Sequence, residues 1–250
     1  MPRQRIDKLV VERQLAPTRQ RAQALLMAGQ VLVNDTEVTK AGTLVSEDAD
    51  IRIRGEQNPY VSRGGLKMAG ALELLHIDVT GRIILDIGAS TGGFTDCCLQ
   101  KGAVKSYAVD VGTNQLDYRL RTDPRVVSLE QTNARDIEAN TFDPRPDFAV
   151  IDVSFISITK LLEAVVSSLS DTAEILAMVK PQFEVGKDKV GKGGVVRNDA
   201  DRMDAVQKVV ACAEALGLET LSRAEAVISG PKGNREVFVL FRKQPKAKTP

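Results

Sequence analysis

The chain has 250 residues, 43% hydrophobic and 27% charged, a usage that excludes wholesale disorder, collagen and low-complexity architectures and leaves room for a real core. Its 34 basic and 33 acidic side chains give a formal charge of +1, so binding of nucleic acid would need charge concentrated locally. One histidine and three cysteines, two of them adjacent as Cys97 and Cys98, disfavour a zinc site, a Ser-His triad and a disulfide framework, and they fit free thiols in a reducing cytoplasm.

The start, Met1-Pro-Arg-Gln-Arg-Ile-Asp-Lys, is basic but leads into no apolar stretch, so no secretory signal is expected. Nor does any apolar run approach the roughly 18 residues of a membrane span; Phe148–Ile158 is broken by Asp152. Ile6, Leu9 and Val10 take i, i+3, i+4 spacing and predict a helix. Pro17-Thr18 reads as an entry turn, with Thr18 as N-cap of a second helix whose stripe runs through Ala22, Leu25 and Leu26 to a stop at Gly29. Val31 and Val33 alternate, Asn34-Asp35 makes a turn, and Ile51 and Ile53 alternate again. Residues 1–55 therefore read as two short helices and a small twisted sheet. Arg3, Arg5, Lys8, Arg13, Arg19 and Arg21 face only Asp7 and Glu12 in the first 30 residues, with Arg19 and Arg21 projecting from the apolar stripe. Asp35, Glu37, Glu47, Asp48 and Asp50 fall on the hairpins. That segregation predicts one phosphate-seeking face, the alternative being a face that only solubilises the module.

The segment Ala16-Pro-Thr-Arg-Gln-Arg-Ala-Gln-Ala-Leu-Leu-Met-Ala-Gly-Gln-Val-Leu-Val-Asn34 resembles the S4 RNA-binding module, a likeness that covers roughly residues 3–55. The resemblance implies a rigid helix pair presenting cations to folded RNA, through contacts that position a substrate without reading its sequence. Arg5, Lys8, Arg19 and Arg21 are the candidate contacts, with Arg63 beyond the module. Polar Gly55-Glu-Gln-Asn-Pro59 predicts a linker at about 55–60, hence a first domain over 1–58.

From Arg82 apolar strands alternate with helical stretches. Strands are predicted at Ile83–Ile87, Tyr107–Val111, Val126–Leu129, Phe148–Val153, Ile175–Val179, Leu218–Leu221 and Val237–Phe241. Helices are predicted at Thr95–Gln100, Thr159–Leu169 and Asp199–Leu216, the last capped by Asp199. The pattern predicts a doubly wound, Rossmann-like α/β sheet over 61–243, with ligands at the carboxyl ends of its strands. Residues 244–250 form a tail, and the basic cluster Arg242, Lys243, Lys246 and Lys248 reads as a solvated or disordered end.

The first of these strands ends in Asp86-Ile-Gly88-Ala-Ser90-Thr-Gly92-Gly93, whose glycines let backbone approach a ligand closely but do not spell the dinucleotide motif. Asp110 ends the next strand, placed to accept from both hydroxyls of a ribose, and Asp136 follows the third. Three acids along one crevice repel a pyrophosphate. They suit a cation carrying a ribose and an exocyclic amine, which describes S-adenosylmethionine; NAD is the weaker alternative. Asp86, Gly88, Ser90, Gly92, Asp110 and Asp136 are the candidate cofactor residues. The candidate reactive groups are Lys67 before the first strand, Asp152 and Lys180 at the ends of strands four and five, and Glu236 opening the last. Lys180 follows an apolar run and needs a partner, for which Asp152 is the obvious choice.

These four residues resemble the Lys-Asp-Lys-Glu tetrad of ribose 2′-O-methyltransferases. With segments 61–67, 86–96, 152–157, 178–184 and 233–237 they make the whole chain similar to the hemolysin-A-type rRNA methyltransferases, which join an S4 module to a class I methyltransferase domain. Ser90 stands where glycine is common in the broader motif. The resemblance implies S-adenosylmethionine-dependent methylation of a ribose 2′-hydroxyl of cytidine in the RNA of ribosomal subunits, in the cytoplasm. It implies Lys180 at the 2′-oxygen as base or oxyanion stabiliser, Lys67 as a second cation, Asp152 orienting Lys180, and Glu236 orienting Lys67 or the ribose. The segment Gly186–Gly194, with three lysines and four glycines, reads equally as a mobile flap near phosphate and as a disordered surface loop. Two other readings compete. A membrane-lytic role, raised by the family name, lacks an amphipathic basic helix with Trp or Phe. A non-catalytic RNA-binding protein is disfavoured because every tetrad residue and cofactor acid is present. His76 is expected to be satisfied or exposed, and Cys97 and Cys98 to lie in or near the core.

Overall fold

Helices α1 (Ile6–Glu12) and α2 (Arg19–Met27) form where the apolar spacing predicts them, and Thr18 caps α2 by accepting from Arg21 N at 3.2 Å, a contact worth about 1 kcal/mol. The computed structural model describes residues 2–54, 58–230 and 233–244, and the chain divides into two units, Met1–Asn58 and Pro59–Pro250. Residues 55–57 of the predicted linker, and Lys246 and Lys248 of the predicted tail, lie outside the described residues.

In Met1–Asn58, strand β1 (Arg3–Arg5) pairs antiparallel with β4 (Leu44–Ser46), and β2 (Val31–Val33) is the centre of a second small sheet between β3 (Thr36–Glu37) and β5 (Ile51–Ile53). Asn34 and Asp35 both take positive φ, 47° and 64°, as a two-residue hairpin turn requires. Ile6, Val10, Leu26 and Val31 form the buried centre. Beside them the carboxylate of Asp7 is completely buried. It accepts from Arg5 Nε and Nη2 at 3.0 Å each, from Arg19 Nε at 2.8 Å and from Gln23 Nε2 at 3.1 Å. Arg5 and Arg19, predicted to reach RNA, are thus bound to an internal carboxylate. Lys8 and Arg21 are exposed, and their side chains have no partner among the described residues. The charge segregation is also weaker than predicted, because Arg52 and Arg54 sit among the hairpin acids: Arg52 pairs with Asp35 and Asp50, and Arg54 with Glu37.

In Pro59–Pro250 seven strands make one sheet in the order β8 (Val126–Leu129), β7 (Lys105–Val109), β6 (Ile83–Ile87), β9 (Phe148–Ile151), β10 (Glu174–Val179), β12 (Val237–Lys243), β11 (Leu218–Glu225). The first five are parallel; β12 runs antiparallel to both its neighbours. Both faces are covered, so the strands are apolar at successive positions. Ile84, Phe148, Val150, Leu176, Met178 and Phe238 pack on one side with α3 (Arg63–Leu74) and α4 (Gly93–Gln100). Leu85, Ile87, Ala149, Ile151 and Val179 pack on the other with α6 (Leu162–Ser168) and α8 (Asp199–Ala215). Each fully buried phenylalanine here, Phe148, Phe238 and Phe241, contributes about 1.5–3 kcal/mol by burial. Cys97 and Cys98 are buried in α4, and burial pushes the Cys97 thiol up to about 11.

Several boundaries differ from expectation. Asn198, not Asp199, caps α8, its Oδ1 accepting from Ala200 N at 2.8 Å; Asp199 is the first helical residue and pairs with Arg202 at 3.2 Å. The helix predicted at 159–169 splits into a 3₁₀ turn, Ile158–Lys160, and α6. The sheet runs past the predicted end of its last strand, so Arg242 and Lys243 belong to β12. Arg242 pairs with Glu174 at 2.9 Å, and Lys243 donates to Val166 O and Leu169 O at 3.0 Å each. The Gly186–Gly194 segment is a built loop: it has a 3₁₀ turn at Lys187–Lys189 and a bridge between Gly191 and Val195, and Lys189 is tied to Asp201 of α8 at 2.7 Å. His76 is exposed at the end of α3. No helix among the described residues is long and apolar enough to cross a membrane.

Candidate active site

Strand order reverses between β6 and β9, the place where doubly wound sheets open a crevice at their carboxyl ends. The loop after β6 passes against the loop after β9 so closely that a Cβ on Gly88 would lie 2.5 Å from Asp152 O; Gly88 also has φ +83°. Only glycine fits there. The crevice is a cavity of about 780 Å³ lined by all four predicted reactive residues and by Asp86, Gly88 and Ser90.

Helix α3, for which no element is predicted from the sequence, brings Lys67 to the site. Ser62 caps it at Gly64 N (3.2 Å), and Val61 N donates to Asp96 Oδ2 of α4 at 2.8 Å. The buried stripe Met68, Ala71 and Leu72 then holds α3 on the sheet and turns Lys67 toward the cavity. Lys67 forms an ion pair with Glu236, which is fully buried. Glu236 arrives there because it immediately precedes β12, whose antiparallel register sets Val237 against Val179 at the carboxyl end of β10. Lys180 follows Val179 directly. Its Nζ lies 2.5 Å from Asp152 Oδ1, a charge contact rather than an aligned hydrogen bond, and donates to Ser154 Oγ at 3.0 Å. The predicted Lys180–Asp152 pairing is present.

The same cavity wall carries a buried acid. Asp86 is fully buried; its Oδ2 accepts from Thr95 N at 3.0 Å and Thr95 Oγ1 at 2.7 Å, while its Oδ1 has no partner. Burial pushes this carboxyl up to about 7, against the pull of the Thr95 hydrogen bonds and with a further push from the Asp152 charge. Asp110 accepts from Ser90 N at 2.8 Å and Gly112 N at 2.7 Å, so it holds the glycine loop in place from beside the cavity. Gly92 takes φ +93° to begin α4 and packs on Leu116 and Leu120. Neither Gly92, Asp110 nor Asp136 lines the cavity. Asp136 is exposed in the turn Ala134–Asp136, so the picture of three acids along one crevice reduces to Asp86 on the wall and Asp110 behind Ser90. Glu130, which ends the same stretch of chain one residue after β8, turns inward instead and accepts from Asn114 N and Gln115 N at 2.8 Å each.

Arg63, predicted as an RNA contact, is exposed at the start of α3 and lines the cavity. The sequence reading missed Phe155, Ser154, Phe183 and Asn234, which also line it. Phe155 is 91% exposed and has φ +66°, a conformation costly for an aromatic residue. Its ring sits 5.2 Å from that of Phe183. The available signal was adjacency: Ser154-Phe155 directly follows the strand-end Asp152, and Gln182-Phe183 follows Lys180.

A model of the FtsJ-like methyltransferases matches residues 60–243, and a model of the S4 domain matches residues 4–51. The chain belongs to the FtsJ-like methyltransferase family. A Mycobacterium tuberculosis relative, the 16S/23S rRNA (cytidine-2′-O)-methyltransferase TlyA, is 44% identical over 97% of this chain and 91% of its own length. The putative rRNA methyltransferase YqxC of Bacillus subtilis is 43% identical over 95% of this chain and 85% of its own. Among solved structures, a putative hemolysin from Streptococcus thermophilus superposes with a TM-score of 0.76 at 41% identity, covering 100% of this chain and 92% of that one.

S-adenosylmethionine is the cofactor of this FtsJ-like enzyme, and the residues present fit it. Asp86 and Glu236 line the cavity, and each has one buried carboxylate oxygen without a hydrogen-bond partner among the described residues. They offer acceptors to a ligand whose sulfonium, amine and hydroxyls are donors or positive charge. Asp86, Gly88 and Ser90 would hold it.

Proposed function

We propose that this protein methylates the ribose 2′-hydroxyl of a cytidine in ribosomal RNA, acting on ribosomal subunits in the cytoplasm. The observation that carries the reading is the gathering on one cavity wall of Lys67 and Lys180, each fixed by a carboxylate, and of the buried acid Asp86. Cations there suit a nucleophile that becomes an oxyanion and a substrate rich in phosphate. Bound S-adenosylmethionine supplies a methyl group activated by the sulfonium.

The residues of the chain do the rest. Lys180 meets the 2′-oxygen, taking its proton as the neutral amine or stabilising its charge as the ammonium, a contribution of about 10²–10⁴-fold. Asp152 and Ser154 fix the direction of its ammonium group. Lys67, held by Glu236, adds a second positive charge to the same cavity. Phe155, exposed at the cavity mouth against Phe183, offers a face on which the base of a splayed nucleotide stacks. Placement in a site that excludes water supplies several kcal/mol more. In the first unit, Lys8 and Arg21 supply free cations for backbone phosphates, which position the RNA without reading it.

The test incubates the purified protein with tritiated cofactor and isolated ribosomal subunits and maps the label. Label on cytidine 2′-oxygen, lost in Lys180→Ala while calorimetry shows cofactor affinity within about twofold of wild type, is the expected result. Label on a base, or undiminished single-turnover transfer by Lys180→Ala, overturns the assignment.

A further inference from the structure

The loops that follow β9 and β10 lie side by side and are joined at both ends. At the near end Lys180 meets Asp152 at 2.5 Å and Ser154 at 3.0 Å. In the middle the rings of Phe155 and Phe183 touch, 5.2 Å between centroids. At the far end stands Glu184, the last residue of α7 (Pro181–Glu184) and 4% exposed. Its Oε2 accepts from Ser157 Oγ at 2.5 Å and its Oε1 from Ile158 N at 2.7 Å. Ser157 in turn caps the 3₁₀ turn Ile158–Lys160, and Lys208 of α8 donates to Glu184 O at 2.8 Å. Glu184 does not line the cavity. A buried carboxylate is costly unless its oxygens are satisfied, and here both are satisfied by one partner segment, the one that carries Asp152, Ser154 and Phe155.

We propose that Glu184 is a positioning residue for methyl transfer: it clasps the Asp152–Ile158 loop to the Lys180–Glu184 turn, and so fixes Lys180 and Phe155 relative to each other. The inference rests on the role given to Lys180 above. Two loops joined only at Lys180 could pivot about that ion pair; a second attachment four residues on removes the freedom. Near-attack geometry is sensitive to displacements of about 1 Å, which can cost up to about 10²-fold in rate. Gly88 packs against Asp152 O, but Asp86 and Ser90 are anchored by Thr95 and Asp110 and not by Glu184, so the cofactor residues keep their own supports when the clasp is loosened.

The experiment compares wild type with Glu184→Gln, which keeps the shape and one acceptor, Glu184→Ala, which keeps neither, and Ser157→Ala. Single-turnover methyl transfer to ribosomal subunits is read beside cofactor affinity by calorimetry and the midpoint of thermal unfolding. The expected result is a rate loss of about tenfold in Glu184→Gln and larger in Glu184→Ala, with cofactor affinity within about twofold in the Gln variant. Adding Ser157→Ala to Glu184→Gln should cost little beyond either alone, because both break the same bond. Wild-type rate in Glu184→Gln overturns the inference, as does a rate that falls only in step with cofactor affinity and melting temperature. A wild-type protein that moves no methyl group overturns the reading of Lys180 and this inference with it; an active wild type beside an equally active Glu184→Gln overturns this inference alone.

Discussion

Asp7 and Asp86 are the same residue type, equally buried, one in each unit of the chain, and they have been driven in opposite directions. Asp7 receives hydrogen bonds from Arg5, Arg19 and Gln23, led by that from Arg5, and its carboxyl is held well below the usual range despite burial. Asp86 receives bonds from Thr95 on one oxygen only, forms no ion pair among the described residues, and is pushed up to about 7. Burial alone therefore does not tell a structural acid from a binding acid. The completeness of its partners does: an acid satisfied from inside the fold is a tie, and an acid left with a free oxygen beside a cavity is waiting for a ligand.

Removing the tie should have the largest effect on stability. Four hydrogen bonds from three residues to one charged acceptor would sum to roughly 6–12 kcal/mol, taking roughly 1.5–3 for each bond to a charged group. The side chains of Arg5 and Arg19 are 41% and 50% exposed and rehydrate on release, which lowers the expected loss in Asp7→Asn to about 2–3 kcal/mol. Hydrogen exchange over residues 3–53 reads it unit by unit. The pH dependence follows from the depressed carboxyl: its stabilisation is complete above the unfolded value near 4 and is lost as pH falls through the lower folded value. The gap between wild type and Asp7→Asn should stay constant from pH 7 to about 5 and close below pH 4. A gap that closes near neutrality would contradict the tie.

Asp86→Asn should do the converse. The amide keeps an acceptor for Thr95 but presents a donor where the free oxygen was, so cofactor affinity falls on the order of 30-fold, about 2 kcal/mol. Stability should not fall with it. For a carboxyl raised by burial the folded state holds a proton that the unfolded state has released, so cofactor-free stability declines as pH rises from about 4 to about 7. Asp86→Asn should flatten that slope in the methyltransferase unit. Cofactor affinity, in contrast, should strengthen toward pH 7 in wild type and lose that dependence in the variant. An unchanged affinity by calorimetry would remove Asp86 from the site.

The two acids also show where sequence reading stops. Strand-end positions were legible because a sheet covered on both faces needs continuous apolar runs, and Asp86, Asp152 and Lys180 each interrupt the chain at the end of one. Asp7 was not, because nothing local distinguishes a buried acid from a solvated one among arginines; its burial depends on Arg19 and Gln23 arriving from another helix. Helix α3 was hidden by Gly64 and Gly65, which lower helix propensity, although Tyr60 packs too tightly on Gly65 for any Cβ there. Glu130 directly follows β8 as Asp110 follows β7, a spacing that pointed to it ahead of Asp136, and it anchors the 112–116 loop.

The smallest predicted effect separates the cations around the tie from those beyond it. Arg19 and Arg21 are two residues apart on α2 and similarly exposed, but Arg19 donates to Asp7 while the Arg21 side chain has no partner among the described residues. A cation that neutralises one phosphate contributes about one unit to the slope of log affinity against log salt. Arg21→Ala should therefore flatten that slope for ribosomal RNA by about 1 and leave the unfolding of the first unit within about 0.5 kcal/mol of wild type. Arg19→Ala should reverse the pattern, costing about 1 kcal/mol of stability with less change in slope, because its charge is already answered by a carboxylate inside the fold. Filter binding across a salt series, paired with exchange protection of residues 3–53, distinguishes the two. Equal slopes for both variants would mean that Arg19 leaves Asp7 to meet the RNA, and the internal tie would then be a store of binding charge rather than a fixed part of the fold.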